Sequence, residues 1–409
     1  GGIAAIMIIV FTLLFKVSLM SINMGTSNAK QVVHIIGDGC AALSLAARAD
    51  ELPLHLLTVV TPDGAPETKD HIWGFWWING LDKAAKLAKK KWHFWSIITS
   101  RGNVIMSSNR HAYHALQRSK WESDCRQLAK KHGVSFVAQS NLNDASDAQT
   151  LDTRPPFIPI NQMFQHFIGW EITAPSGSFD SKTAVLMDFR CDQSRGIHFI
   201  YLLPFSNSKA LVESTMFSPK RESDIFFETA IEVYLEEYCG VSDFSITRIE
   251  KGGIPLGRIP RVKAVNVGFG GNGGAIRPSS GYAFAFIQKQ ILATIQYAKS
   301  KKLQGGTLIP LVIKRPHKLI DLWMDEVFIT VLRHKPETAP ELFLRMANAL
   351  DGDQFALFLN GEAGWKIRLK VVMAMPKLIF IKALAFLLTG RYVQIKDVDL
   401  AKPTTTRVD

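Results

Sequence analysis

The chain has 409 residues, of which 47% are apolar and 21% are charged, and its formal net charge is +12. This composition is typical of a globular protein that can bury a core, and the length is enough for two or three packed units. The four cysteines form no CxxC pair and no Cys/His cluster with metal-ligand spacing, so the sequence predicts neither a metal site nor a disulfide framework. This cysteine usage fits a reducing compartment.

The basic residues are spread along the chain, with local runs at residues 83–91 and 299–302. A basic balance favours nucleic acid, an anionic membrane surface or an anionic ligand, although such runs are also common on solvated helix faces. No nucleic-acid-binding motif accompanies them, so we expect a membrane surface and no nucleic acid. Residues 1–31 are predicted to be an apolar N-terminal extension, in which residues 1–23 are either a weak membrane anchor or sequence upstream of the true start.

The first part of the chain alternates between short apolar runs and helical patterns. The predicted strands cover residues 32–36, 54–60 and 136–138, and the predicted helices cover 40–49, 81–95 and 111–131. The second predicted strand is continuously apolar, as is typical of a strand buried in a parallel sheet.

From residue 157 the pattern changes to short runs rich in β-branched and aromatic residues, separated by turn residues. These runs predict an antiparallel sheet with strands over 164–172, 184–189, 197–203 and 210–216, the last two joined as a hairpin. The helices that follow are predicted over 223–239 and 282–298 and through most of 317–390. Of these, residues 366–388 are strongly apolar with basic residues at intervals, which is typical of an interfacial helix, a lid or a buried core helix kinked at Pro376.

A glycine-rich turn joins the first predicted strand to the first helix, in the sequence VHIIGDGCAALSLA. Gly37 permits a tight turn, Gly39 lets the backbone approach a pyrophosphate at the helix N-terminus, and Ala42 holds the third fingerprint position. No aspartate or glutamate directly follows the second predicted strand, where an acid that binds the ribose is expected. Asp63 is the candidate ligand of the ribose, and an exposed loop aspartate is the alternative. The turn therefore predicts a site for the ADP half of a dinucleotide.

A second glycine-rich segment lies far downstream, between residues 265 and 281. An extended FAD returns to the chain at such a distance, so FAD is favoured over NAD. The cofactor-binding residues predicted from both segments are Gly37, Gly39, Ala42, Asp63, Gly270, Gly273, Gly274 and Gly281.

Ordered motifs across residues 32–390 resemble the flavin-dependent lycopene cyclases of carotenoid synthesis. The motifs that carry the resemblance are GDGCAALSLA at 37–46, DHIWGFW at 70–76, DTRP at 152–155, QHFIGWE at 165–171, MDFR at 187–190, LVEST at 211–215, GGIP at 252–255 and GGNGGAIRPSSGY at 270–282. The chain departs from the family at four places: Ser214 replaces a second acid, Ala42 replaces the third glycine, Gly271 and Asn272 replace Thr and Ala, and the stretch 139–151 is shorter.

The resemblance implies a mixed α/β (α+β) fold like that of flavoprotein monooxygenases: a Rossmann-type FAD-binding domain, an antiparallel-sheet substrate domain and a helical C-terminal region. The expected divisions are 1–31 for the extension, 32–156 for the first part of the FAD domain, 157–250 for the substrate domain, 251–300 for the FAD return segment, 301–400 for the helical region and 401–409 for a disordered tail.

The resemblance also implies an isomerase that closes β-ionone rings on lycopene or another linear carotene. The reaction would use reduced FAD, with NAD(P)H as reductant, and other enzymes of the carotenoid pathway are possible partners. Because a polyene hydrocarbon dissolves in lipid, we expect a cytoplasmic protein peripheral to the inner face of the membrane. The sequence leaves open whether one or both ends are cyclised, and whether the ring is β or ε.

Acid-initiated cyclisation needs a carboxyl group that stays protonated in an apolar cavity. Glu213 fits, because strand alternation places it on one face with Leu211 and Thr215, and apolar surroundings raise a carboxyl pKa. Without the motif, Glu213 would be an ordinary glutamate on the solvent face of a sheet. Asp188 is the second catalytic candidate, where with Arg190 it either holds the cavity wall or forms a structural ion pair.

Four further side chains are candidates for the substrate cavity, namely His71, Trp73, Phe75 and Trp76. Aromatic clusters stabilise cations, but they are also common in protein cores. Two alternatives to a cyclase remain: a related FAD-dependent monooxygenase or prenyl reductase, and a carotenoid-binding protein without enzymatic activity.

Overall fold

The structure is a computed structural model that describes residues 30–65, 69–142, 147–259, 266–301 and 309–389. Its strands are β1 Gln31–Ile36, β2 His55–Thr61, β3 Ile72–Trp76, β4 Lys90–Trp92, β5 Phe94–Thr99, β6 Gly102–Ser107, β7 Tyr113–Gln117, β8 Ser135–Ala138, β9 Gln149–Asp152, β10 Met163–Thr173, β11 Thr183–Asp188, β12 Ile197–Pro204, β13 Lys209–Ser218, β14 Ser245–Leu256 and β15 Val267–Gly268. Its α-helices are α1 Cys40–Ala46, α2 Asp82–Leu87, α3 Arg118–Lys131, α4 Asp224–Cys239, α5 Phe284–Ser300, α6 Leu319–His334, α7 Ala339–Ala349, α8 Gly352–Leu359, α9 Trp365–Ala374 and α10 Lys377–Leu388. The predicted extension and tail lie outside the described residues, except for Lys30 and Gln31.

A five-stranded parallel sheet carries the glycine turn, in the order β15-β9-β1-β2-β8. β1 lies at its centre, and Val33 and Ile35 are fully buried there. Small residues on α1, Ala41 and Ala42 among them, let that helix pack closely on the sheet. The predicted strands and the helix of the turn are thereby confirmed, and the fold is mixed α/β.

A seven-stranded sheet forms the second layer, in the order β14-β10-β13-β12-β11-β5-β6. Its pairs are antiparallel except β5 with β11, and the predicted hairpin between β12 and β13 is confirmed. β14 continues past residue 250, and β5 and β6 come from the segment assigned to the FAD domain. The predicted division of the chain therefore does not match the sheets at these strands.

Two predicted helices are wrong in part. Residues 81–95 and 111–131 contain the helices Asp82–Leu87 and Arg118–Lys131, but the rest includes strands β4, β7 and the start of β5. β7 pairs with β3 and β4 in a three-stranded sheet, and β5 pairs with β6 and β11. The partners β3 and β11 lie far along the chain, so local periodicity did not reveal these strands.

The two faces of the seven-stranded sheet pack against different elements. On one face, α4 buries Phe227, Ile231 and Tyr234 and ends at Gly240, which has the left-handed φ of 64° that favours glycine. On the other face, side chains from β5, β11, β12 and β13 pack with the helices α6 to α10. This second face is the wall of the cavity described below.

The last two described helices are bent by 108° at Pro376, as the proline predicted. No single described helix is long and apolar enough to cross a membrane, although this bent pair passes that test when its two helices are taken together.

A buried ion pair ties the glycine-rich return segment to the C-terminal helices. Arg277 is only 1% exposed, and its Nε lies 3.1 Å from Oδ2 of Asp325 on α6. Its Nη1 donates to the carbonyl groups of Phe358 and Leu359 at the end of α8. The pair therefore fixes where the helices sit over the sheet.

Replacing Arg277 by Met is expected to lower the free energy of unfolding by about 3–5 kcal/mol, because it leaves the Asp325 carboxylate buried without its partner. Thermal and urea denaturation of the purified protein measure the loss. Arg345→Gln, which breaks an exposed pair with Glu341, is the control and should change stability by less than about 1 kcal/mol. Equal effects of the two substitutions would contradict the role of Arg277.

Candidate active site

The glycine turn leaves its backbone open at the carboxyl edge of the parallel sheet. Gly37 has a φ of +110°, and a Cβ there would collide with Oγ1 of Thr153. Its N–H donates to the carbonyl of Val60 at 2.9 Å, which fixes the turn against β2. Gly39 is the N-cap of α1, whose first turn carries no acidic residue. The positive helix end is therefore directed at an open, anion-accepting edge.

The structure brings the downstream glycine segment against this turn. Gly270 has a φ of +66°, and a Cβ there would collide with Ala41 on α1. Its N–H donates to Oε1 of Gln290 at 2.8 Å. Gly273 lies close against the carbonyl of Gly268, and Gly274 adopts a left-handed conformation with a φ of 80°. Only residues without side chains permit this approach of two distant segments.

Other predicted residues lie near the turn in different settings. Ala42 is fully buried between α1 and the sheet, so it serves packing and not direct contact. Gly281, with a φ of +71°, lies on the cavity beside Gln165 and Ile254. Asp63 lies beyond the end of β2, lines the cavity and accepts a hydrogen bond from the Ser140 N–H at 3.3 Å. Its contact with a ribose stays a prediction.

Arg118 is a residue of this region that the sequence did not reveal. It begins α3, lines the cavity, and its Nη2 lies 3.6 Å from where a Cβ on Gly39 would be. Glu122 holds its Nε at 2.9 Å. A guanidinium beside the glycine turn suits a pyrophosphate. The start of a helix at Arg118 was the only signal in the sequence for this residue. The prediction of one continuous helix over 111–131 concealed that start.

A cavity of about 2550 Å³ extends from the glycine turn to the C-terminal helices. Small-molecule sites usually measure roughly 300–1,000 Å³, so this cavity has room for a cofactor and a long second ligand. Its apolar lining comes from the sheet wall and the helices, and includes Ile97, Leu186, Phe199, Phe217, Met324, Phe328, Phe343, Met346, Phe355, Met375, Phe380 and Leu384.

Glu213 lies on this apolar wall, on β13, with only 7% of its surface exposed. Leu211 and Phe217 of the same strand face the same core, so the predicted alternation is confirmed. Burial raises the pKa of the Glu213 carboxyl to about 8, and the nearby Glu250 adds to the rise, whereas a hydrogen bond from Oγ1 of Thr215 at 2.6 Å opposes it. The carboxyl group is therefore protonated at neutral pH.

Glu250 is a second buried carboxyl group, and the sequence did not reveal it. It is 2% exposed on β14, and burial raises its pKa to about 7, while the Arg248 guanidinium opposes that rise. Nη1 of Arg248 lies 2.7 Å from Oε2 of Glu250, and the N–H of Ile72 donates to the same oxygen at 3.1 Å. Glu250 precedes the GGIP motif, but nothing in the local pattern indicated that it would face Glu213.

Three tyrosine hydroxyl groups meet at the cavity near Glu213. The Tyr113 hydroxyl lies 2.8 Å from that of Tyr201 and 3.2 Å from that of Tyr282. Gly74 makes this cluster possible, because a Cβ there would collide with the Tyr113 hydroxyl. Burial, together with other acidic groups, raises the pKa of all three, so they are neutral donors.

The predicted cavity aromatics divide into two groups. His71 and Trp73 line the cavity, and burial lowers the pKa of His71 to about 4, so its ring is neutral. Phe75 and Trp76 are 1% exposed and do not line it. The Phe75 ring stacks on that of His114 with 5.2 Å between the ring centroids, and the Trp76 ring packs on that of Tyr113 with 4.6 Å between the centroids. Their prediction as cavity residues is wrong, because the two side chains are buried in separate parts of the core on opposite faces of β3.

Asp188 does not reach the cavity, so its prediction as a catalytic residue is wrong. It is fully buried, pairs with Arg190 at 2.7 Å and accepts a hydrogen bond from the Tyr234 hydroxyl of α4 at 3.0 Å. These partners lie on the α4 side of the sheet. The MDFR motif therefore supplies a structural ion pair, the alternative that its sequence left open.

Ser214 also faces α4, away from Glu213. Its hydroxyl lies 2.8 Å from Nε2 of the buried His198. Because successive strand residues point to opposite faces, a carboxyl group at this position would not enter the cavity. The departure from the family motif at Ser214 consequently leaves the cavity wall intact.

Two solved structures are similar to this chain, and the first of them shares its fold. A geranylgeranyl bacteriochlorophyll reductase-like protein from Thermoplasma acidophilum aligns with a TM-score of 0.53 and 13% identity, covering 88% of this chain and all of the other. Xcc4156, a flavin-dependent halogenase from Xanthomonas campestris, aligns with a TM-score of 0.48 and 14% identity, covering 83% of this chain and 82% of its own.

Sequence comparison is more specific. No curated protein sequence matches the chain significantly. The model of the lycopene cyclase protein family, however, matches residues 32–384, which is nearly the whole chain and contains the glycine turn, Glu213 and the return segment. The protein belongs to the lycopene cyclase family.

Proposed function

We propose that this protein is a flavin-dependent lycopene β-cyclase, which converts the linear end groups of lycopene to β-ionone rings. The observation that carries the proposal is Glu213, a carboxyl group held protonated on the apolar wall of a large cavity. The same cavity reaches the glycine turn, so a cofactor and a long hydrocarbon can lie in one continuous space.

The residues at the turn fit FAD. Gly37 and Gly39 expose the backbone to a pyrophosphate, Arg118 adds positive charge, and Gly270 closes the site from the far segment. When bound in its reduced form, with NAD(P)H as the reductant, the flavin supplies an electron-rich ring that stabilises nearby positive charge without net electron transfer. Asp63 remains the candidate for the ribose.

The protein's own residues carry out the proton chemistry. Glu213 donates its proton to the terminal double bond, so its O–H bond breaks and a C–H bond forms. The resulting cation closes the six-membered ring by forming a C–C bond. The Glu213 carboxylate then accepts a ring proton, which restores a double bond and regenerates the acid. The apolar lining excludes water, which would otherwise trap the cation as an alcohol. The faces of Tyr201 and Tyr282 supply further stabilisation of positive charge.

Glu213→Gln is expected to abolish ring formation while the protein keeps its fold and its flavin, because the amide cannot donate the initiating proton. The test expresses the chain in cells that accumulate lycopene and separates the pigments by chromatography. The wild type and Glu236→Gln, an exposed control on α4, should give cyclic carotene. Ring formation by Glu213→Gln at the wild-type rate would exclude this role.

The same experiment separates the alternatives. A prenyl reductase or a monooxygenase consumes NAD(P)H stoichiometrically and changes the mass of the product, whereas a cyclase does neither. Unchanged lycopene with a soluble, flavin-loaded wild type would refute the proposed cyclase. Purified protein without the absorbance of flavin would favour a carotenoid-binding protein.

We further propose that the protein acts at the inner, cytoplasmic face of the membrane, where a linear carotene dissolves and other carotenoid-pathway enzymes can be reached. Trp323, Val372 and Ile381 both line the cavity and are about half exposed, at 52%, 47% and 59%. The same three helices carry further exposed apolar residues, namely Leu319 on α6, Trp365 and Met373 on α9, and Leu378 and Leu388 on α10. Exposed lysines at 366, 370, 377 and 382 accompany them, which suits an anionic lipid surface.

Leu378→Asp is expected to weaken binding to vesicles of phosphatidylglycerol at least several-fold, because it places a negative charge at the apolar opening. Co-sedimentation with vesicles measures the bound fraction, and phosphatidylcholine vesicles should bind the wild type less. Ile225→Asp, at an equally exposed position on α4, is the matched control. If the two variants bind alike, this surface does not contact the membrane.

A further inference from the structure

Three adjacent strands place Glu213 and Glu250 on either side of one glycine. Gly169 on β10 is paired with Glu213 on β13 and with Glu250 on β14. A Cβ at Gly169 would lie 3.1 Å from Cγ of Glu250 and 3.4 Å from Cβ of Glu213. Both glutamate side chains therefore lie beside the space that the side chain of any other residue at position 169 would occupy, and such a side chain would separate them.

The two carboxyl groups have different surroundings. Glu250 is paired with Arg248 and accepts the Ile72 N–H, and it does not line the cavity. Arg248 is itself anchored by Glu171, at 3.0 Å, and by the carbonyl of Asp70. Glu213 lines the cavity, and Thr215 donates to it. The cation beside Glu250 makes it the member of the pair that ionises first.

We propose that Glu250 is a positioning residue for the acid: its carboxylate, held behind Glu213 by Arg248, keeps the proton on Glu213 until a substrate takes it. Two negative charges on neighbouring buried side chains repel each other, so an ionised Glu250 opposes ionisation of Glu213. The effect of Glu250 on catalysis rests on the proposed function, whereas the effect of its charge on the ionisation of Glu213 does not.

Other groups that face Glu213 do not replace this effect. The hydroxyl groups of Tyr201 on β12, Tyr113 on β7 and Tyr282 after the return segment are neutral, as is Thr215. His71, which lies near Gly252 of β14, is neutral because burial lowers its pKa. The Arg248 guanidinium is paired with Glu250 and Glu171 and makes no described contact with Glu213.

The sign of the effect on the pH profile follows directly. Removing the negative charge of Glu250 makes ionisation of Glu213 easier and lowers the pH at which Glu213 loses its proton. The activity of an enzyme that needs protonated Glu213 then falls off at a lower pH. In the wild type this alkaline limb should lie near pH 8, because the pKa of Glu213 is raised to about 8.

The test compares Glu250→Gln, Glu250→Asp and the exposed control Glu236→Gln in the flavin-loaded enzyme acting on lycopene in vesicles. Glu250→Gln should shift the alkaline limb of the activity down by about one pH unit. Glu250→Asp retains the charge and should restore the limb to within a few tenths of a unit. Glu236→Gln should match the wild type. A Glu250→Gln enzyme that loses activity equally at every pH has a structural defect, and that result overturns the proposal.

A second measurement needs no activity. Infrared titration of the protein follows the carbonyl stretch of protonated carboxyl groups, and the Glu213 band is assigned by its loss in Glu213→Gln. The Glu213 band should persist after Glu250 has ionised in the wild type, and should disappear about one pH unit lower in Glu250→Gln. The reverse order of ionisation in the wild type overturns the proposal, even if Glu250→Gln fails to fold.

The two measurements distinguish the two ideas. A wild type that forms no rings, with the infrared shift present, refutes the cyclase and leaves the coupling of the two carboxyl groups established. If rings form, but the alkaline limb and the Glu213 infrared band are the same in Glu250→Gln as in the wild type, the positioning role is refuted and the cyclase stands.

Discussion

The structure depends on one constraint, that a carboxyl group must remain protonated inside an apolar cavity. Water would stabilise the Glu213 anion, and the β13 wall removes that water. The negative charge of Glu250 works in the same direction, and the only opposing contact described for the carboxyl is the hydrogen bond from Thr215. A cation paired directly with Glu213 would reverse the balance, but the Arg248 guanidinium is paired instead with Glu250 and Glu171.

Close backbone approach is how distant segments build this site. Gly169 lets the two glutamates share one position on the sheet, Gly74 admits the tyrosine hydroxyls, and Gly270 brings the return segment onto α1. Arg277 then ties that segment to the helices that cover the cavity. The glycine turn, the acid and the apolar cover thus belong to one packed assembly, although they are separated by more than a hundred residues in the chain.

Local pattern was enough for part of this architecture. The strand–turn–helix of the glycine turn, the antiparallel strands, the kink at Pro376 and the face of Glu213 follow from periodicity and from residues with special backbone geometry. Local pattern failed where pairing between strands determines the structure, because it predicts helix over β4, β7 and the start of β5. It also predicts Asp188, Phe75 and Trp76 in the cavity, where the structure does not place them. Arg118 and Glu250 were missed because their importance arises only from neighbours brought by the fold.

Cyclisation of lycopene by purified protein in deuterated water tests the central claim most directly. Proton donation by Glu213, whose acidic hydrogen exchanges with solvent, predicts a cyclic product that carries one solvent deuterium for each ring, with no NAD(P)H consumed beyond flavin reduction. Mass spectrometry of the carotene measures this. A product that carries two added hydrogens or an oxygen atom, with matching NAD(P)H consumption, would contradict the account.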